Sequence, residues 1–234
     1  MHKGIKRRYM KRYWLITILL IINSYSFSQK KVTKSELKYN YSKFYSKQQA
    51  KIQSDKGFPF DKNTNAIIDS LLKNQVDTIG VFDRTIIGGT ITDMDSCYIC
   101  GDYPWETFIH WKKNNKYYQI KVTECCKPKM YIIDYSVIIN YYINSEQKLK
   151  NEYIFPAITF ETLTNTKGEV YCRDVDHTAS YFIYCIINGN KYGIKFRKFE
   201  LEERDNIFLE DNLASPINSW KKLIEDQLNE IEKN

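Results

Sequence analysis

Residues 180–187 and 191–198 read as two strands joined by Asn188-Gly189. An Asn-Gly pair supplies the positive φ angles that a two-residue loop requires, so this stretch is committed to an antiparallel hairpin. Residues 105–111 and 116–123 repeat the pattern around Lys113-Asn114-Asn115. Residues 78–83 and 85–92 read as strands on either side of Asp83-Arg84, with Gly88-Gly89 as a bulge or bend. Residues 131–143 put Ile133, Tyr135, Val137, Ile139, Tyr141 and Ile143 on one side and Asp134, Ser136 and Asn140 on the other, the pattern of a long, half-exposed strand. Two further strands, 157–163 and 169–175, flank a turn containing Asn165 to Gly168.

The remaining periodicity is helical. Residues 35–54 fit a helix capped by Ser35 with a thin apolar stripe, broken by Gly57-Phe58-Pro59-Phe60. Residues 66–73 place Ile67, Ile68, Leu71 and Leu72 on one face, with Asn63 or Asn65 as the cap. Ser215 and Pro216 open a last helix whose stripe is Ile217, Trp220, Leu223, Ile224, Leu228 and Ile231. The expected fold class is α+β: an antiparallel β-meander sheet packed against the C-terminal amphipathic helix and stapled by disulfides. With 234 residues, 43% hydrophobic and 27% charged, the composition excludes a disordered tail and a multi-pass membrane protein. A single domain over residues 59–234 is expected.

The N-terminus reads as a secretory signal peptide, residues 1–28. Lys3, Lys6, Arg7, Arg8, Lys11 and Arg12 precede the apolar run Trp14 to Ile22, and Ser26 and Ser28 stand before a cut at Gln29. That run is shorter than the ~20 apolar residues of a membrane-crossing helix. No transmembrane span is therefore expected after cleavage, and the protein is expected to be secreted or periplasmic. The leader also reassigns the charge. The whole chain carries 35 basic and 28 acidic residues, and the leader holds six of the basic ones and no acid, which leaves 29 − 28 = +1. A nucleic-acid partner is accordingly not expected. Residues 29–58 keep eight Lys against Glu36 and Asp55, a basic arm interleaved with Tyr39, Tyr41, Phe44 and Tyr45. It reads either as a docking arm for an anionic surface or as a helix lying on the acidic body of its own chain.

Six cysteines follow the leader: Cys97, Cys100, Cys125, Cys126, Cys172 and Cys185. An even number behind an export signal points to disulfides. Cys172 and Cys185 are expected to bridge adjacent strands, in a register that sets residue 174 opposite 183. The other four form two pairs, 97–125 with 100–126 or 97–126 with 100–125. Each closed loop of roughly 25 residues contributes on the order of 3 kcal/mol. A zinc knuckle and a C-x-x-C redox centre compete for Cys97 and Cys100. The first lacks a matching second knuckle, and the second lacks a helix start after Cys100.

Catalytic patterns are scarce. His110 lies between Ile109 and Trp111 in a strand and reads as structural. Asp174, Asp176 and His177, with Asp93 and Asp95, offer an oxygen-rich cation site or the acid/base groups of a metal-assisted hydrolase. Asp and His are also ordinary turn residues. The chain holds 19 Tyr and four Trp, and Tyr98, Tyr103, Trp105 and Trp111 cluster near the expected staple as a platform for a protein or a glycan. The leading expectation is an exported, non-catalytic binding module for an envelope or extracellular protein or glycan, with no cofactor; the alternative is the hydrolase.

Overall fold

The computed structural model describes residues 32–55, 57–85, 105–123, 127–159 and 178–233. Helix α1 (Lys34–Ser54) starts at Thr33 rather than Ser35: Thr33 Oγ1 accepts from the Glu36 N–H while Glu36 accepts from the Thr33 N–H. This reciprocal box satisfies two of the four free donors of the first turn. Helix α2 (Lys62–Lys73) is capped by Asp61, which accepts from Asn63 and Thr64. The expected cap Asn65 instead donates to the Phe60 carbonyl.

The strands are β1 (Thr78–Thr85), β2 (Trp105–Lys113), β3 (Lys116–Thr123), β4 (Lys129–Ile133), β5 (Ser180–Ile187) and β6 (Asn190–Arg197). Helix α3 (Val137–Leu149) follows β4, and a 3-10 turn (Lys198–Leu201), α4 (Leu209–Ala214) and α5 (Pro216–Lys233) close the chain. The six strands form one sheet in the order β4-β3-β2-β1-β5-β6, every neighbouring pair antiparallel. Strands β1 to β4 form a meander, but the β5–β6 hairpin adds to the other side of β1. Both hairpins turn where expected, through Asn114-Asn115 and Asn188-Gly189, all four residues at positive φ.

Both faces of the sheet are covered. On one, Phe82, Ile183, Cys185, Tyr192 and Ile194 pack against Ile138 and Tyr142 of α3 and Trp220 and Ile224 of α5. On the other, Ile79, Val81, Ile109 and Tyr184 pack against Ile68 of α2 and against Phe58 and Phe60. Each such aliphatic or aromatic side chain taken wholly out of water stabilises the fold by about 1.5–3 kcal/mol. Helix α1 lies along β6. Gln49 Nε2 donates to the Gly193 carbonyl, the Gly193 N–H donates to Gln49 Oε1 at 3.3 Å, and the Lys191 N–H donates to Gln53 Oε1 at 2.8 Å. Tyr45 Oη donates to the Ile154 carbonyl at 2.7 Å, and Lys34 and Lys38 bridge Asp211 at 2.9 and 2.6 Å. The inner face of the basic arm thus lies on its own chain.

Two expectations are corrected. The long strand over 131–143 is instead β4 followed by α3. Ser136 Oγ accepts from the Ile139 N–H, and Gln227 Oε1 of α5 accepts from the Val137 N–H at 3.0 Å, so the first turn of a helix is satisfied there. Ile138, Ile139 and Tyr142 then form its buried face at helical spacing. The interruption at Asp83-Arg84 is absent, because Asp83 accepts from Thr107 Oγ1 at 2.6 Å and Arg84 pairs with Glu106, both partners lying on β2. The partner of the expected Cys172–Cys185 bridge, Cys172, lies outside the described residues. Ile183 lies opposite Phe82 on one side and Ile194 on the other, so both edges of β5 are taken, and Cys185 is a buried free thiol. Cys97, Cys100, Cys125, Cys126 and Cys172 lie outside the described residues, as do the leader, Gly88-Gly89 and residues 160–177.

Helix α3 reaches β1 because Gly80 has no side chain. A Cβ there would stand 2.6 Å from Ile138 Cγ2 and 3.1 Å from Ile139 Cγ1. Gly80→Ala should therefore destabilise the protein by roughly 1–3 kcal/mol in urea denaturation, the usual penalty for overpacking. Gly57→Ala, with nothing within 4 Å of the added atom, should leave the midpoint in place. Equal midpoints for the two variants would contradict the close approach of α3.

Candidate functional site

The polar side chains on the α3/α5 face are absorbed by structure. His110 of β2 is fully buried, its Nδ1 2.9 Å from Ser136 Oγ, the hydroxyl that also caps α3. Burial pushes the imidazole down to about 3, outweighing the opposing influence of the neighbouring Gln119. A serine beside a histidine has the composition of a nucleophile and its base. Here neither reaches solvent and the hydroxyl lone pair serves a helix N-terminus, so the pair holds α3 on β2. Glu106 is the hub of a second cluster, accepting from Arg84 and, at 2.8 Å, from Lys121, which also reaches Glu232 of α5 at 2.6 Å. Burial alone would raise the Glu106 carboxyl, but Arg84 and Lys121 hold it below the usual carboxylate range.

Two clefts flank the C-terminal half of α1. One of about 290 Å³ is lined by Gln49, Gln53, Tyr142, Lys150 and Lys191, and the other, of about 260 Å³, by Ile52, Asp55, Phe58 and Tyr184. Both are small for an organic ligand. Several of their polar groups are already engaged: the glutamines hold β6, Lys191 Nζ donates to the Asp55 carbonyl, and Lys150 pairs with Glu146 at 2.6 Å.

The uncommitted surface is at the β4 edge. On the α2 side of the sheet, Val81, Ile109, Ile120 and Met130 stand in one cross-strand row, and Ile79, Trp111, Tyr118 and Ile132 in the next. The rows run outward from the buried core. Ile79, Val81 and Ile109 are inaccessible, Tyr118 and Ile120 are half-buried, and Met130 and Ile132 are 63% and 69% exposed. Trp111 and Tyr118 stack with ring centroids 5.3 Å apart. Among the described residues, strand β4 is outermost and pairs only with β3.

Of the expected platform, Trp111 is therefore a core residue of the inner row and Trp105 is half-buried at the start of β2. Tyr98 and Tyr103 lie outside the described residues, together with Asp93, Asp95, Asp174, Asp176 and His177. Among the described residues no group of three or more His, Cys, Asp or Glu is placed to hold a metal ion, and no helix is long and apolar enough to cross a membrane. Met130 and Ile132 escaped the sequence reading, although their alternation with Lys129, Tyr131 and Ile133 carries the signal. No family model, curated protein or solved structure matches the chain.

One buried and one half-buried group set opposing pH dependences. Between pH 6.5 and about 3 an unfolded imidazole holds a proton that folded His110 refuses, so His110 removes stability as the pH falls. Burial raises Glu200, in the 3-10 turn, from 4.5 to about 7, so between those values the folded carboxyl keeps a proton that the unfolded one releases, and stability grows as the pH falls. The two oppose each other between pH 4.5 and 6.5. Glu200→Gln should therefore lose up to about 1.4 kcal/mol more per pH unit than the parent as the pH drops through that window, and His110→Gln should deviate in the opposite sense. Urea midpoints that shift in parallel for all three proteins would contradict this.

Proposed function

We propose that this protein is an exported, non-catalytic binding module of the cell envelope or extracellular space, and that an extended segment of a protein partner adds to its sheet as a further strand along β4. The observation that carries the reading is the pair of apolar rows that leave the core and surface at Met130 and Ile132. Strand addition takes affinity from main-chain hydrogen bonds and specificity from alternate side chains on one face. A partner strand with apolar residues at every second position would extend both rows and remove Met130 and Ile132 from water. The basic, apolar leader supports export, since its apolar run fits a signal peptide. The Ser136 hydroxyl beside His110 caps α3 and Glu106 is held by Arg84 and Lys121, so both clusters take part in holding the helices on the sheet.

A photoreactive benzoylphenylalanine in place of Met130 tests this in the cells that make the protein. One discrete protein adduct is expected, suppressed when Ile132→Lys is added to the same chain and absent when the probe replaces the exposed Lys195 of β6. No adduct, the same adduct from position 195, or a cross-link confined to the chain itself or to a second copy would contradict the proposal.

A further inference from the structure

Helix α1 contains five lysines, and the structure treats them in two ways. Lys34 and Lys38 turn inward to Asp211, with Lys34 over the Phe208 ring and Lys38 over the Phe155 ring. Lys43, Lys47 and Lys51 are exposed, and no described residue pairs with any of them. Their spacing of four places all three on one side of the helix. The helix holds a single acid, Glu36, which is engaged at the N-cap, and Asp55 just beyond its end makes no ion pair with Lys51. Two aromatic rings border this basic stripe, Tyr39 at 69% and Phe44 at 53% exposure. The opposite side of α1 is fixed to the body through Leu37, Tyr45, Gln49 and Gln53, so the stripe is held outward.

We propose that this outer face of α1 docks the protein on an anionic phospholipid bilayer, independently of the β4 edge. The occupant follows from two features together. Unpaired lysines on one helix face are attracted to a negatively charged surface. Exposed aromatic rings on that same face gain further by entering the boundary between headgroups and acyl chains, which a soluble polyanion does not offer. A net charge of +1 beyond the leader leaves general basicity too small to account for adhesion, so any attraction is local to this helix.

Co-sedimentation of the purified protein with phospholipid vesicles tests the proposal. Binding is expected to phosphatidylcholine vesicles containing roughly 30% phosphatidylglycerol, and not to pure phosphatidylcholine, because the attraction requires surface charge. Raising NaCl from about 0.1 to about 0.5 M should release the protein by screening. The triple variant K43Q/K47Q/K51Q should bind on the order of 100-fold more weakly, at roughly fivefold per lysine. Phe44→Ser should weaken binding while keeping the salt dependence. Neither variant removes a hydrogen bond or ion pair among the described residues, and Phe44→Ser gives up one edge contact with the Tyr45 ring at 5.6 Å, so the triple variant should keep the parent's urea midpoint and Phe44→Ser should stay folded in buffer, which separates lost binding from lost folding. Binding to neutral vesicles equal to that to charged ones, an unchanged affinity for the triple variant, or full binding by Phe44→Ser together with displacement by dextran sulfate would overturn the proposal; the last result assigns the stripe to soluble polyanions.

Discussion

Gln49 and Gln53 hydrogen-bond the outer edge of β6 through their side-chain amides. Four residues of helix rise about 6 Å and two residues of strand about 6.7 Å, so an i, i+4 pair of glutamines matches a j, j+2 pair of backbone groups. A helix thereby supplies the hydrogen bonds that a seventh strand would have made. Exposed strand edges are templates for pairing, and folded proteins cover or blunt them. Here one edge is covered in this way, and the other, β4, carries Met130 and Ile132 into solvent. The direction in which this sheet can grow follows from that inequality.

Coverage of the two faces follows a related logic. Strands β1 and β5 are interior strands, each paired on both edges, and are apolar on both faces, which requires α2 on one face and α3 with α5 on the other. Two polar residues that enter the α3/α5 face are tied to a helix: His110 to the start of α3 through Ser136, and Glu106 to α5 through Lys121 and Glu232. They orient the helices and are unavailable for reaction. What the described surface offers for recognition lies elsewhere, at the β4 edge and on the outer side of α1. These two surfaces differ in chemistry, one an apolar strand edge and the other a basic stripe bordered by rings.

Local turn chemistry made both hairpins legible from sequence, because Asn114-Asn115 and Asn188-Gly189 fix loop geometry without help from distant residues. The last helix was legible for the same reason, through Ser215, Pro216 and its apolar stripe. Residues 137–149 were misread because Val137, Ile139, Tyr141 and Ile143 satisfy a period of two as well as a helical face, and the deciding hydrogen bonds come from the Ser136 cap and the distant Gln227. The position of β5 beside β1 was not legible, since strand order depends on contacts about a hundred residues apart. At the proposed binding surface, Met130 and Ile132 became interpretable only once the register with Ile120 and Tyr118 was known. The glutamines of α1 look like ordinary surface residues until the strand they cover is in place.

Hydrogen exchange resolved to single amides tests the unequal edges most directly. The Gly193 and Lys191 amides, held by Gln49 and Gln53, should exchange slowly and lose their protection in the Gln49→Ala, Gln53→Ala double variant. The β4 amides that point away from β3 should exchange fast in both proteins. Slow exchange of those β4 amides in the parent, or rapid exchange at Gly193 and Lys191, would contradict a sheet closed on one side and open on the other.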